Sequence, residues 1–210
     1  MKTLLIDVDD TLYKKDSGPF NLVYERITSF VMELLGISKP DAMELRRKYI
    51  SKYGSTLAGL MEDYNVDPGK YLYNVHDVPV EDMLKKDYRL HDTLAALAEE
   101  LIVFTNGSYG YALRIVKALG VEDCFSGFFT IEDMDYRPKP LQYPYLKIMD
   151  RFGREAGELV VIDDRYDNVK TAIDLGMKGV LVGSEIKEGS LLMISDIYSI
   201  PDAIESLRSK

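Results

Sequence analysis

T-L-L-I-D-V-D-D-T-L-Y, at residues 3–13, is a short apolar run that stops abruptly at acids. Residues 4–6 have the length and character of a buried strand. Asp7, Asp9 and Asp10 follow at once, with Thr11 beside them. Carboxylates this close repel one another, and they stay together at a strand end only where a cation neutralises them. The stretch predicts a charged partner there. Asp also caps helices and tolerates turns, so the stretch takes its meaning from what the rest of the chain supplies.

Further apolar runs lie at 101–104, 128–131, 159–162 and 180–182, and they alternate with helical spacing at 91–100, 108–119, 141–152, 166–175 and 201–207. Strands that are apolar throughout, separated by helices, imply a parallel sheet covered on both faces: an α/β, doubly wound fold. Residues 16–87 break the alternation. They show helical spacing at 21–36, 40–53, 57–64 and 68–75 and no strand, with Ser55 and Thr56 as caps and Pro40 and Pro68 as helix openers. The expected organisation is a core of residues 1–15 and 88–210, with 16–87 inserted as an all-helical domain after the first strand. Arg46, Arg47 and Lys48 are expected on a solvated helix face.

The 210 residues suffice for one well-buried core and a smaller appended domain. A net charge of -9 sets the overall field against nucleic acid polymers and anionic membranes, so an anionic substrate requires a locally positive pocket. No apolar run approaches the ~20 residues of a membrane span, and Asp7 and Asp9 interrupt the N-terminal run too early for a signal peptide. The single Cys124 excludes an intramolecular disulfide and fits a reducing, cytoplasmic setting.

In open parallel sheets ligands sit outside the carboxyl ends of the strands. Those ends carry Asp7 and Asp9, then Thr105, Asn106, Gly107 and Ser108, then Lys139 between two prolines, then Asp163 and Asp164. Each group fits a step of phosphoryl transfer. Asp7 suits the nucleophile and Asp9 the acid and base. Asp7, Asp163 and Asp164 suit an octahedral Mg²⁺. Thr105, with the N–H groups of Asn106 and Gly107 at a helix start, suits phosphate oxygens. Helix capping also accounts for Thr105, Ser108 and the acid pair, and a solvated surface site for Lys139. It is the coincidence of four such groups that argues for chemistry. Phosphate monoester hydrolysis demands acceleration up to ~10²¹-fold, which requires metal, cation and amide donors together.

In that order and spacing, D-V-D-D-T, F-T-N-G, R-P-K-P and V-I-D-D-R resemble the four motifs of the haloacid dehalogenase (HAD) superfamily, and the inserted helices resemble its C1 cap. The resemblance implies Asp7 as nucleophile, Asp9 as acid/base and as metal ligand through its carbonyl, Thr105 and Lys139 as phosphate anchors, and Asp163 and Asp164 as metal-binding acids. Y-G-S-T-L-A-G-L at 53–60, V-H-D-V-P at 75–79 and A-L-R-I-V-K-A-L-G at 112–120 are similar to the pyrimidine 5'-nucleotidase-like branch. That branch leads one to expect arginine where His91 stands, histidine where Tyr111 stands and glutamate where Asp163 stands. The expected activity is a Mg²⁺-dependent phosphomonoesterase acting through an aspartyl-phosphate. Its partner is a small phosphorylated metabolite, with a nucleoside 5'-monophosphate, pyrimidine preferred, ahead of phosphoglycolate or a sugar phosphate. A catalytically idle HAD-fold binding module is the reading from another class. Ser55, Thr56 and His76 are the candidates for substrate specificity, although His76-Asp77 after a helix first predicts a local hydrogen-bonded turn. The tyrosines at 49, 53, 64, 71 and 73 are read as core and surface of the insertion before base stacking.

Overall fold

A computed structural model describes residues 2–15, 17–183 and 191–209. Asp16, the expected start of the insertion, and the chain ends Met1 and Lys210 lie outside the described residues. Six strands, β1 (Thr3–Ile6), β2 (Glu100–Phe104), β3 (Gly127–Phe129), β4 (Leu159–Asp163), β5 (Lys178–Val182) and β6 (Leu192–Ile194), form one sheet in the order β3-β2-β1-β4-β5-β6. Every neighbouring pair is parallel. The chain winds outward from β1 to β3, then crosses back to β4 and winds the other way. The switch therefore falls between β1 and β4, where a doubly wound sheet opens its ligand crevice.

Side chains on β1 alternate between two cores because successive strand residues point to opposite faces. Leu4 and Ile6 join Val103, Val160 and Ile162 beneath α6 (Tyr88–Ala95), α7 (Tyr109–Leu119) and α10 (Ile200–Arg208). Leu5 joins Ile102, Phe104 and Val161 beneath α8 (Gln142–Phe152) and α9 (Tyr166–Asp174). All three β1 side chains are fully buried, each contributing about 1.5–3 kcal/mol. The expected helix at 91–100 ends at Ala95, and Glu100 instead opens β2. Its amide donates to Lys2 O (3.0 Å) and its carboxylate accepts from Thr3 and Arg154, so sheet pairing overrides the helical spacing. β6 carried no sequence signal, being three residues long and half-buried.

Between β1 and β2 lie α1 (Phe20–Leu35), α2 (Lys39–Tyr53), α3 (Thr56–Tyr64) and α4 (Pro68–Val75). Ser38, Ser55 and Asp67 cap the last three through their side chains, and left-handed Gly36, Gly54 and Asn65 end the first three. Gly59 permits α2 and α3 to touch: a Cβ there would stand 2.2 Å from the Tyr49 ring. The return segment packs on the sheet side, since Val78, Val80 of α5 (Val80–Met83) and Leu84 join Ala112 and Ile115 of α7. Arg114 pins this return, donating to Val78 O (2.7 Å), His76 O (3.4 Å) and the Glu81 carboxylate (2.6 Å). Arg114 holds the Glu81 carboxyl down at about 2.

Candidate active site

β1 and β4 run side by side and both end in acids. Asp7 N–H donates to Ile162 O (2.9 Å), which carries the pairing one residue past β1 and sets Asp7 beside the end of β4. Asp7, Asp163 and Asp164 each offer an oxygen within 4.8 Å of the others. Lys139 lies among them, only 1 % exposed, and uses its whole ammonium group. Nζ donates to Asp7 Oδ1 (3.0 Å), Asp163 Oδ2 (2.7 Å) and Phe104 O (2.6 Å). Burial opposes that charge, but Asp163 and Asp7 outweigh it and raise the Lys139 pKa. The solvated reading of Lys139 does not hold. The Asn106 side chain fixes the lysine's backbone, donating to Lys139 O (2.9 Å) and accepting from Lys139 N–H (2.8 Å).

Asp163 is saturated: besides Lys139 it accepts from Arg165 N–H (2.9 Å) and, through both oxygens, from Asn168 Nδ2 (2.9 Å). Burial pushes the neighbouring Asp164 up to about 7, with Asp163 and Asp10 adding repulsion. Burial likewise raises Asp7 against the pull of Lys139. Asp9 is pushed up to about 6 by burial, although two phenols stabilise its anion. Tyr111 donates to Oδ1 (2.8 Å) and Tyr13 to the same oxygen. Thr105 Oγ1 accepts from Gly107 N–H (3.0 Å), which orients the hydroxyl at the start of α7.

Asp7, Asp9, Asp164, Thr105, Lys139 and Asn168 line one cavity of about 340 Å³, roofed by Arg46, Ile50, Ser55, Thr56 and His76 of the insertion. Crowded acids with raised pKa values suit a divalent cation. So does Asn168, whose buried Oδ1 has no partner among the described residues.

Residues 1–176 match the sequence family described as haloacid dehalogenase-like hydrolase. The chain belongs to the haloacid dehalogenase-like hydrolases. It is 29% identical over 196 residues to phosphate metabolism protein 8 of Saccharomyces cerevisiae, covering 86% of this chain but 61% of that protein. It is 26% identical to the glyceraldehyde 3-phosphate phosphatase of Methanocaldococcus jannaschii, over 99% of both chains. A Bacillus subtilis HAD-hydrolase, YfnB, described as bound to magnesium, shares the fold with a TM-score of 0.65 at 17% identity, covering 97% of this chain and 98% of its own. The expected fold and the expected enzyme class, a HAD-family hydrolase with phosphatases among its relatives, are both borne out.

Within this HAD chain the cavity gathers Asp7, Asp9, Thr105, Asn106, Gly107, Lys139 and Asp164, with Ser55, Thr56 and His76 above them. Asp163 sits behind, fully buried and hydrogen-bonded to Lys139. Ser55 also serves as the N-cap of α3, accepting from Ala58 N–H (3.0 Å). One expectation is refined and another corrected. The turn at His76-Asp77 forms through the backbone, Val78 N–H donating to His76 O (2.9 Å), and not through the His76 ring and Asp77. Nδ1 instead meets Ser108 Oγ at 2.8 Å and the ring stacks on Tyr111 at 4.4 Å, while Asp77 pairs with Arg26. Arg46 is not solvated; it is buried and lines the cavity. Four contributors went unread: Tyr13, Tyr111, Asn168 and Arg46. For Arg46 a signal existed, since Ala42, Arg46 and Tyr49 fall at i, i+4, i+7 on one helix stripe. Among the described residues, no helix is long and apolar enough to cross a membrane.

Proposed function

We propose that this hydrolase is a Mg²⁺-dependent phosphomonoesterase working through an aspartyl-phosphate on Asp7. The observation that carries the reading is the Lys139 ammonium bridging Asp7 and Asp163 inside a cavity that also holds Asp9, Thr105 and Asp164. Asp7 carboxylate oxygen attacks phosphorus as the ester P–O bond breaks, and Asp9 gives its proton to the departing alkoxide. A water then attacks the phosphoryl group, Asp9 takes back a proton, and Asp7 leaves as a free carboxylate. The Lys139 charge holds Asp7 and Asp163 and offsets negative charge beside the phosphoryl group, while the Thr105 hydroxyl binds a phosphoryl oxygen. Asp7, Asp163, Asp164 and the Asp9 carbonyl are the groups that would hold Mg²⁺. Bound there, the ion supplies positive charge that offsets both the acids and the phosphate.

Residues 1–15 and 88–210 serve in this reading as the catalytic core and 16–87 as a cap that keeps water from the phosphoenzyme. The roof formed by α2 to α4 supports it. The resemblance in the insertion makes a nucleoside 5'-monophosphate, pyrimidine preferred, the first substrate to test. A small acidic or sugar phosphate is the second, and the buried cation Arg46 favours it. A reducing, cytoplasmic setting fits the lone Cys124.

The test is phosphate release from UMP, CMP, AMP, phosphoglycolate, glyceraldehyde 3-phosphate and p-nitrophenyl phosphate, with Mg²⁺ and with EDTA, beside Asp7→Asn. Metal-dependent release abolished by Asp7→Asn is expected. Release that persists in Asp7→Asn would sink the covalent route.

A further inference from the structure

Among the described residues four charged residues are buried. Asp7, Lys139 and Asp163 pair with one another; Arg46, 3 % exposed, pairs with no carboxylate. Its Nη1 donates to Tyr24 O (2.9 Å) and to Thr28 Oγ1, and the guanidinium carbon lies 3.8 Å over the Tyr24 ring. Nε is buried without a partner among the described residues. A neutral donor would serve the carbonyl and hydroxyl equally well; of these contacts only the Tyr24 ring face draws on the charge, and a ring does not neutralise it as an anion would. Guanidinium keeps its proton at any physiological pH, and a buried cation lacking an anion is costly. Burial lowers the Arg46 pKa, the mark of a charge not yet offset. Arg46 lines, with apolar Ile50 and Leu57, the same cavity that holds Asp7 and Lys139.

We propose that Arg46 is a specificity-determining residue that binds a second anionic group of the substrate, a carboxylate or a phosphate remote from the scissile one. The inference rests on the phosphatase reading above and names its substrate class. Both anions match the planar guanidinium fork. A nucleoside 5'-monophosphate brings one phosphate and a neutral base, so the inference favours a compact acid phosphate over it.

Matched pairs test this: 3-phosphoglycerate against glycerol 3-phosphate for a carboxylate, and fructose 1,6-bisphosphate against fructose 6-phosphate for a phosphate. One pair is expected to show a kcat/KM ratio well above one, identifying which anion is read. Arg46→Met should collapse that ratio about 10- to 100-fold, mainly through KM, and Arg46→Lys should restore part of it. A merely structural arginine would lower both members of a pair alike and leave the ratio unmoved, which overturns the inference; so would wild-type ratios near one for both pairs. Dissociation constants for the same pairs, measured by calorimetry on Asp7→Asn with and without Arg46→Met, separate the two readings. Tighter binding of the doubly anionic partner that Arg46→Met removes keeps the inference even if wild type releases no phosphate, whereas equal binding rejects it whatever the turnover.

Discussion

Tyr111 donates a 2.8 Å hydrogen bond to Asp9 Oδ1 across 102 residues of sequence, from α7 of the core to the loop after β1. Tyr13 shares the same oxygen. Two phenols on one carboxylate oxygen fix its plane and leave Oδ2 as the face for proton transfer. Tyr111→Phe should therefore lower kcat about 10-fold for an alkyl phosphate, whose leaving group needs the proton. The effect should be much smaller for p-nitrophenyl phosphate, whose leaving group does not. Equal losses on both, measured under saturating Mg²⁺, would mean that Tyr111 does not position the acid.

Removing Lys139 strands two buried carboxylates. Lys139→Met should destabilise the EDTA-treated protein by about 3–5 kcal/mol at pH 8, read by urea unfolding. Turnover should fall at least ~100-fold, since the one buried cation touching Asp7 is gone. A variant as stable as wild type would show the Asp7–Lys139–Asp163 cluster to be energetically idle.

Mg²⁺ should raise the unfolding midpoint, by about 2.7 kcal/mol of stability at a concentration 100 times its Kd. The sign with pH follows from Asp164, raised to about 7 by burial. A carboxyl raised in the folded state lends stability below its unfolded value, and that stability is lost as pH rises toward 7. The EDTA-treated protein should accordingly weaken over that range while the Mg²⁺ increment grows. Asp164→Asn should remove its share of the pH dependence, with Asp7 and Asp9 supplying the rest, and should shrink the Mg²⁺ increment in thermal melts.

His76 works in the opposite direction. Burial holds it near 4, below the usual 6.5, so the unfolded chain takes up the extra proton between those values. The stability it lends is complete above pH 6.5 and is lost as pH falls toward 4, by about 2 kcal/mol for a partly buried ring. Because the active-site acids titrate across the same window, the readout is the difference between wild type and His76→Gln at pH 7.5, 6 and 5. A constant difference would refute the assignment.

The core strands were legible because the apolar runs at 4–6, 101–104 and 159–162 are short and alternate with helices, the pattern of a sheet covered on both faces. Their terminal acids, Thr105 and Lys139 were legible because strand ends in such a sheet share one edge. What escaped was set by long-range contact. Tyr111 meets Asp9, and His76 meets Ser108 32 residues away, through packing that no local pattern encodes. Arg46 sits in a run of three cations, R-R-K, where composition suggests solvent while helical phase points inward. At this position helical phase, not composition, sets the burial.

Arg114 lies three residues beyond Tyr111 on α7, so the helix that presents the phenol to Asp9 also grips the return segment of the insertion at His76, Val78 and Glu81. This makes α7 the seam along which the chain resists recombination. A chimera that swaps in residues 20–87 from another family member would keep its fold yet put foreign residues where His76, Val78 and Glu81 meet Arg114, and its roof would sit askew over an intact acid cluster. Exchanging α7 together with the insertion transfers both ends of the joint, and engineering of this scaffold for new substrates has its natural cassette there.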